Sequence, residues 1–222
     1  MSRVTSTSPT PRNASEMLGD VQALASTLRS AGDAVWLEAS APPLPARLDS
    51  MAAWREYVDP YLAEVLVPRE WPFIVRAHGY ACQGMARELI AADREWSQSR
   101  STLPSAWGAL GEASSRVGQR QLNRLRPLRD QRIVQRYVAA VEAGDAQGWH
   151  PLVYGVVVAA FAIPLRQGLQ HYARQTLAGL LAGTPLATRL TEPARTRLLD
   201  DMEQSLVPEL LRVLPEGIAE GF

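Results

Sequence analysis

The residues best suited to metal or nucleophilic chemistry are three histidines and one cysteine. His78 and Cys82 are four residues apart, a spacing that places both side chains on one face of a helix. They form the only soft-ligand pair in the sequence, and two ligands leave half of a tetrahedral site empty unless a second subunit completes it. We therefore predict a packed core pair that binds no nickel or zinc tightly, and the alternative is an enzyme built on this face.

The other two histidines lie far from this pair and from each other along the chain. His150 directly precedes Pro151, at a position where the sequence predicts the N-cap of a helix. His171 adjoins Tyr172 on a segment whose other face is apolar, which predicts partial exposure. Since no HxxxH or HExxH spacing occurs, the sequence predicts no metal-binding residue.

Acidic side chains lie near arginines rather than near a nucleophile. Glu88, Asp93 and Glu95 stand beside Arg87 and Arg94, a pattern typical of a solvated, ion-paired helix face. The chain has no GxxxxGK[ST], GxGxxG or GxSxG motif. The sequence thus predicts no catalytic residue and no cofactor, and it favours a helical interaction protein over an enzyme.

Composition disfavours several classes of partner. The 222 residues carry a formal net charge of zero, and every basic residue other than histidine is an arginine. Because such a chain has no overall field to attract polyanions, we predict neither a nucleic-acid partner nor a membrane partner. The single cysteine rules out an internal disulfide and indicates a reducing compartment. The first 13 residues lack the apolar core of a secretory signal.

The most apolar segment runs from Gly148 to Leu165, with its uninterrupted apolar part over Leu152–Ile163, and predicts a buried central helix. Pro151 suits its first turn and Pro164 its end, because proline lacks an N–H group and its ring clashes with the preceding turn. Small residues, among them Gly155, recur at helical spacing and should let neighbouring helices approach closely. The segment is too short for a membrane span, which needs about 20 apolar residues.

Apolar residues at helical spacing predict further helices on both sides of this segment. Those before it should begin at Ser15, at Asp49 or Ser50, and at Trp71–Pro72, Met85 and Pro104, with another over Ile133–Val141. Pro68 should close the second of these helices, and Gly84 should end or bend the third. Those after it should cover Leu169–Leu181, Thr191–Leu206 and Val207–Phe222. We therefore predict an all-α, single-domain helical bundle around a central hydrophobic helix over residues 15–222, preceded by a disordered tail over residues 1–14.

Three segments, in this order, resemble the core of the UreF family of urease accessory proteins. They are Glu88–Asp93 (ELIAAD), Glu112–Arg120 (EASSRVGQR) and Gly148–Gly155 (GWHPLVYG) with the following Ala159–Ala160. The second resembles the family's Ser-x-Arg-x-Gly-(Gln/Arg)-Arg signature, and the third resembles the His-Pro-Val-Val-x-Gly start of its most hydrophobic helix. The similarity covers about residues 49–206.

The resemblance implies a cytoplasmic, all-helical and usually homodimeric protein that performs no chemistry of its own. Such a protein bridges a UreD-like (also called UreH-like) scaffold and a UreG-like GTPase on apo-urease, and it gates the GTP hydrolysis that releases nickel into the active site. The matching residues, which form the predicted partner interface, are Ser115, Arg116, Gly118, Gln119 and Arg120. We expect Gly118 to allow close helix approach and the two arginines to pair with a partner's carboxylates.

Three parts of the sequence depart from the family pattern. Trp36–Ala39 stands where the family carries Leu-Pro-x-Gly and Ser-His-Gly-Gly-Leu-Glu-like turns, and Leu190–Arg195 replaces its Leu-Gly-Gln turn. The usual C-terminal segment with its Tyr-Ser-Arg-Leu-Phe tail is also missing before Phe222. Since that tail helps to dock the UreD partner, the alternative hypothesis is a repurposed helical adaptor or regulator that binds a partner helix or an apolar ligand.

Overall fold

The computed structural model describes residues 48–99 and 110–215, and every regular element in these ranges is helical, as predicted. Ten α-helices and one π-helical segment follow one another in these ranges. They are α1 (Met51–Tyr61), the π segment (Leu62–Glu70), α2 (Trp71–Gln83), α3 (Ala86–Ser99), α4 (Leu110–Leu125), α5 (Arg132–Glu142), α6 (His150–Ala160), α7 (Leu165–Ala182), α8 (Pro185–Arg189), α9 (Glu192–Ser205) and α10 (Val207–Val213). The predicted tail, the helix from Ser15 and the start at Pro104 lie outside the described residues.

The first three elements form one continuous helical segment from residue 51 to residue 83. Ser50 caps it as predicted, because its hydroxyl accepts the N–H of Ala53 at 3.2 Å. The prediction that Pro68 closes a helix is wrong, since the chain winds past it as a π-helix and the N–H of Trp71 bonds back to the carbonyl of Leu66. The wider π turn leaves room for a proline ring that would clash inside an α-helix.

Gly84 ends α2, one of the two outcomes that the sequence allowed. Its φ of 69° is the left-handed conformation that glycine adopts without strain. The N–H of Met85 bonds to the carbonyl of Tyr80 at 2.9 Å, which closes the helix with a Schellman-type turn. Helix α3 can therefore start directly afterwards and fold back beside α2.

Helix α6 is the predicted central helix, and every residue from His150 to Val158 is buried. It packs mainly between α2 and α4. A Cβ atom on Gly155 would lie 2.5 Å from the carbonyl oxygen of Ile74 and 2.8 Å from the Cβ of Ala77. The backbone of α6 therefore touches α2 directly, as the small residues predicted.

Both ends of α6 differ slightly from the prediction. The helix stops at Ala160, before Ile163, and Ala162 adopts a left-handed φ of 52° in the turn that precedes Pro164. At the start, the N-cap is Trp149 and not His150, which is the first helical residue. Side chains of other helices hold this start, because the hydroxyl of Ser114 accepts the N–H of His150 and a carboxylate described below accepts the N–H of Trp149.

The remaining predicted helices follow the predicted order, and α8 is a short helix that the sequence pattern does not predict. Helix α5 matches its predicted range within a residue, and α7 ends at Gly183 as expected. Thr191 is the N-cap of α9, although its hydroxyl makes no capping hydrogen bond. The last helix ends at Val213, and residues 216–222 lie outside the described part of the chain. Among the described residues, no helix combines the length and the apolar character needed to cross a bilayer.

Four ionisable side chains meet where the π segment packs against α6 and α7. Tyr61, His150 and Tyr172 are buried, and Glu70 is partly exposed. The hydroxyl of Tyr61 donates to Glu70 at 2.5 Å, and the His150 ring stacks on the Tyr172 ring with centroids 5.3 Å apart. Burial raises the pKa of the Glu70 carboxyl to about 7, against hydrogen bonds from Tyr61 and Tyr172 that lower it. Burial also lowers the pKa of His150 to about 3. Both groups therefore favour their neutral forms in the folded protein.

These opposite shifts predict opposite pH dependences of stability. Unfolded His150 binds more protons than folded His150 between its folded pKa of about 3 and its ordinary value of 6.5, so it costs stability as the pH falls through that range. Folded Glu70 binds more protons than unfolded Glu70 between pH 4.5 and about 7, so it costs stability as the pH rises. Each pKa unit corresponds to about 1.4 kcal/mol.

We expect His150→Phe to gain stability relative to the wild type as the pH falls from 6.5 to 4. Glu70→Gln should instead gain stability relative to the wild type as the pH rises from 4.5 to 7. Urea unfolding of the three proteins over this pH range measures both slopes. Parallel curves for wild type and either variant would contradict the buried, neutral state of that residue.

Candidate partner interface

The site is organised by a buried carboxylate on α3. Asp93 is fully buried and accepts four hydrogen bonds. One comes from the hydroxyl of Tyr137 at 2.5 Å, and the others come from the backbone N–H groups of Gln147, Gly148 and Trp149 at 2.6, 3.0 and 3.3 Å. The carboxylate thus holds the loop before α6 together with Trp149, the N-cap residue of the central helix.

The prediction that Asp93 belongs to a solvated, ion-paired face is wrong. Glu88 and Glu95 are exposed, and Glu95 pairs with Arg76 at 2.6 Å, as such a face requires. Asp93, however, lies four residues after Leu89 and three before Trp96, two buried apolar side chains of the same helix. This spacing, which places Asp93 in the buried stripe, is the signal in the sequence that could have identified it.

Two further contacts from α3 fix the same loop. Arg94 donates to the carbonyl of Asp145 at 2.8 Å and pairs with its carboxylate at 3.0 Å. The indole N–H of Trp149 donates to the hydroxyl of Ser97 at 2.7 Å. Because the loop is held at both ends and at its centre, it forms a rigid support for the helix that packs on its other side.

That helix is α4, which carries the signature residues. A Cβ atom on Gly118 would lie only 2.0 Å from the carbonyl oxygen of Gly148 and 2.7 Å from the N atom of His150. Only glycine permits this approach, so the expectation of close packing at Gly118 is met, although against a loop and a helix start. Ser114 reinforces the contact, because its hydroxyl accepts the N–H of His150 at 3.2 Å.

The structure divides the five predicted interface residues into two groups. Gln119 donates to the carbonyl of Gln147 at 2.9 Å, and Ser115 lies 3.4 Å from the same oxygen, so with Gly118 they face the loop. Arg116 and Arg120 are exposed on the other side of the same helical turns. The first group positions the backbone that carries these two arginines.

The pair of possible soft ligands lies elsewhere, on α2. The Sγ atom of Cys82 is 3.7 Å from Nε2 of His78, which confirms that the two side chains share a face. The prediction that they form a core pair is wrong, because this face of α2 leaves Cys82 exposed and His78 only partly buried. Burial lowers the pKa of His78. Within residues 48–99 and 110–215, no three His, Cys, Asp or Glu side chains come together as metal ligands would. His171 is partly exposed, as predicted.

Fold and site together define an all-helical protein in which a glycine-bearing helix is anchored to the start of a buried central helix. The UreF family model matches residues 48–192 of the chain, and no curated protein matches it. The chain therefore belongs to the UreF family, a family of urease accessory proteins and not of catalytic enzymes. This membership confirms the resemblance seen in the sequence.

The matched range contains all three segments that carried the resemblance. The structure joins them physically, since Asp93 ends the first, Gly118 lies in the second and Gly148 begins the third. The match stops at residue 192, inside the Leu190–Arg195 segment that lacks the Leu-Gly-Gln turn. This departure from the family pattern therefore lies at the edge of the match.

Proposed function

We propose that this protein is a cytoplasmic, homodimeric chaperone of urease maturation that delivers nickel by assembling other proteins. In this role it bridges a UreD-like or UreH-like scaffold and a UreG-like GTPase on apo-urease. The GTPase hydrolyses GTP and releases nickel, its cargo, into the urease active site. This protein contributes the geometry of the complex and gates that step.

The observation that carries the proposal is the family match together with the arrangement of the signature turn. Gly118, Ser115 and Gln119 immobilise the turn, on which Arg116 and Arg120 are exposed one helical turn apart. A guanidinium group forms paired hydrogen bonds with a carboxylate, and less ordering is needed on binding when its helix is already fixed. These two arginines are therefore well placed to meet acidic residues of a partner.

We expect the double variant Arg116→Glu/Arg120→Glu to keep its helical content but to bind its accessory partners at least about tenfold more weakly, because like charges then oppose the partner's acids. The measurement is co-purification and titration of the wild type and the variant with the UreD-like and UreG-like proteins of the same organism. The matched control is Arg87→Glu/Arg197→Glu, which makes the same charge change at two exposed arginines on other helices.

Equal binding by the variant and the control would exclude the signature turn from the interface. If the wild type captures neither protein, the urease role fails and the adaptor alternative takes its place. An open groove of about 760 Å³ between α1 and α9 is the feature that favours that alternative. Its wall includes Met51, which is 50% exposed, and Leu198. Because charged side chains such as Arg55, Glu56 and Asp59 also line the groove, a short amphipathic helix would be the ligand to test there.

A further inference from the structure

The junction of α4 and α5 concentrates positive charge in a chain whose net charge is zero. Residues 114–137 contain seven arginines and a single acid, Asp130. Four of the arginines are exposed and make up what we term the arginine corner: Arg124, Arg129, Arg132 and Arg136. The corner adjoins the signature turn, since Arg124 continues the four-residue spacing of Arg116 and Arg120 on the exposed face of α4.

Hydrogen bonds and one ion pair fix the backbone that carries the arginine corner. The side-chain amide of Gln135 donates to the carbonyls of Arg126 and Leu128, both at 3.2 Å, and so ties the first turn of α5 to the connecting loop. Arg126 pairs with Glu142 and also donates to Asn123, which closes the junction from the other side. Buried side chains flank the loop at the two helix ends, namely Leu125 and Ile133.

The corner arginines differ from other arginines of the described part of the fold in that they form no ion pair there. Elsewhere, arginines such as Arg76 and Arg174 pair with carboxylates of neighbouring helices. Over residues 48–99 and 110–215, no carboxylate pairs with any of the four corner arginines. Arg132 is moreover the first residue of α5, where a cation opposes the helix dipole, and that first turn contains no acid. Stability of the fold therefore does not explain the cluster.

We propose that the arginine corner docks an acidic protein surface and extends the interface of the signature turn across the α4–α5 junction. This inference rests on the proposed function and assigns the chemistry of the partner's contact surface. Each guanidinium group can form two parallel hydrogen bonds with a carboxylate. Several arginines on two fixed helix ends can therefore bind a row of carboxylates along a helix of the partner. Single-stranded nucleic acid fits poorly, because residues 114–136 include no aromatic side chain on which a base could stack.

The corner is tested with the variant Arg132→Glu/Arg136→Glu and the same control as above, Arg87→Glu/Arg197→Glu. An acid at residue 132 agrees with the dipole of α5, so the melting temperature of the variant should stay equal or rise. Binding to a fluorescein-labelled poly-L-glutamate peptide should nevertheless weaken about tenfold in the variant and little in the control, and the difference should shrink at high salt. Equal losses in both variants, or tighter binding of a DNA probe than of polyglutamate by the wild type, would overturn the proposal.

Complex formation with the accessory partners is the second measurement. A wild-type complex that the corner variant weakens and the control does not would support the acidic contact surface. A complex that both variants leave intact would overturn the corner proposal while the proposed function stands. Failure of the wild type to form any complex would instead overturn the proposed function, and the polyglutamate titration would then decide on the corner by itself.

Discussion

Gly155→Leu is expected to lower the free energy of unfolding by about 3 kcal/mol or more, because it overpacks the most tightly closed contact between α6 and α2. Even a Cβ atom at this position would lie 2.5 Å from the carbonyl oxygen of Ile74 and 3.0 Å from the N atom of His78. Both are backbone atoms of α2, which cannot rotate away as a flexible side chain can. The two helices must therefore separate, and the separation exposes apolar surface on both.

Chemical unfolding in urea measures this loss, and Gly79 provides the matched control. Gly79 lies in α2 as well, but a Cβ atom there would have no atom within 4 Å. Gly79→Ala should therefore raise stability by about 0.5–1 kcal/mol, since alanine is the better helix former. An unchanged unfolding midpoint for Gly155→Leu would mean that α6 does not pack on α2 through Gly155.

Asp93→Ala is expected to cost about 3–5 kcal/mol, because it leaves several buried donors without an acceptor. The hydroxyl of Tyr137 and the N–H groups of Gly148 and Trp149 all lose a charged partner in the protein interior. The loop before α6 would then lose its support, and with it the surface on which Gly118 packs. We therefore expect this variant to disturb the signature turn as well as overall stability.

Three comparisons separate this role from a general effect of mutation. Tyr137→Phe removes one donor together with its need for an acceptor and should cost about 1 kcal/mol. In the double variant with Asp93→Ala, the two losses should be clearly less than additive, since both remove the same hydrogen bond. Glu88→Ala, on the exposed part of α3, should be close to neutral. If Asp93→Ala behaved like Glu88→Ala in urea unfolding, the carboxylate would not anchor the loop.

The sequence is sufficient for the parts of the fold that depend on local signals. Pro151 and the apolar run after it locate the central helix, and Gly84 locates the end of α2, because both act through their own backbone geometry. The close contacts at Gly155 and Gly118 also follow from residue size alone. What the sequence does not specify is the partner at each contact, since that partner lies far away along the chain.

The wrong predictions concern residues for which a local sequence rule is overridden by the surrounding helix geometry or by a contact with a distant part of the chain. A proline such as Pro68 normally ends an α-helix, but this rule does not hold when the surrounding residues wind as a π-helix that accommodates the ring. Asp93 has the charge of a surface residue, whereas its position in the apolar stripe of α3 predicts burial, and here the position is the better guide. Its acceptor role is visible only once the fold brings the backbone of Gln147, Gly148 and Trp149 to its carboxylate.

The candidate interface is predictable only in part. The resemblance to the UreF family identifies the signature residues, but their division into an anchored group and an exposed group depends on the loop at Gln147, which lies 28 residues from Gln119 and 32 from Ser115. Overall composition does not reveal the arginine corner, because a net charge of zero over the whole chain conceals a local excess. Charge counted segment by segment would have revealed it.

The most direct test of the urease role is the nickel content of urease produced with and without this protein. Urease subunits and the UreD-like and UreG-like proteins of the same organism are co-expressed with the wild type, with Arg116→Glu/Arg120→Glu, or with neither, and nickel per purified urease is measured by atomic absorption. We predict nickel-loaded urease with the wild type and nickel-poor urease in the other two cases. Equal nickel loading in the absence of this protein would contradict its role as a nickel-delivery chaperone.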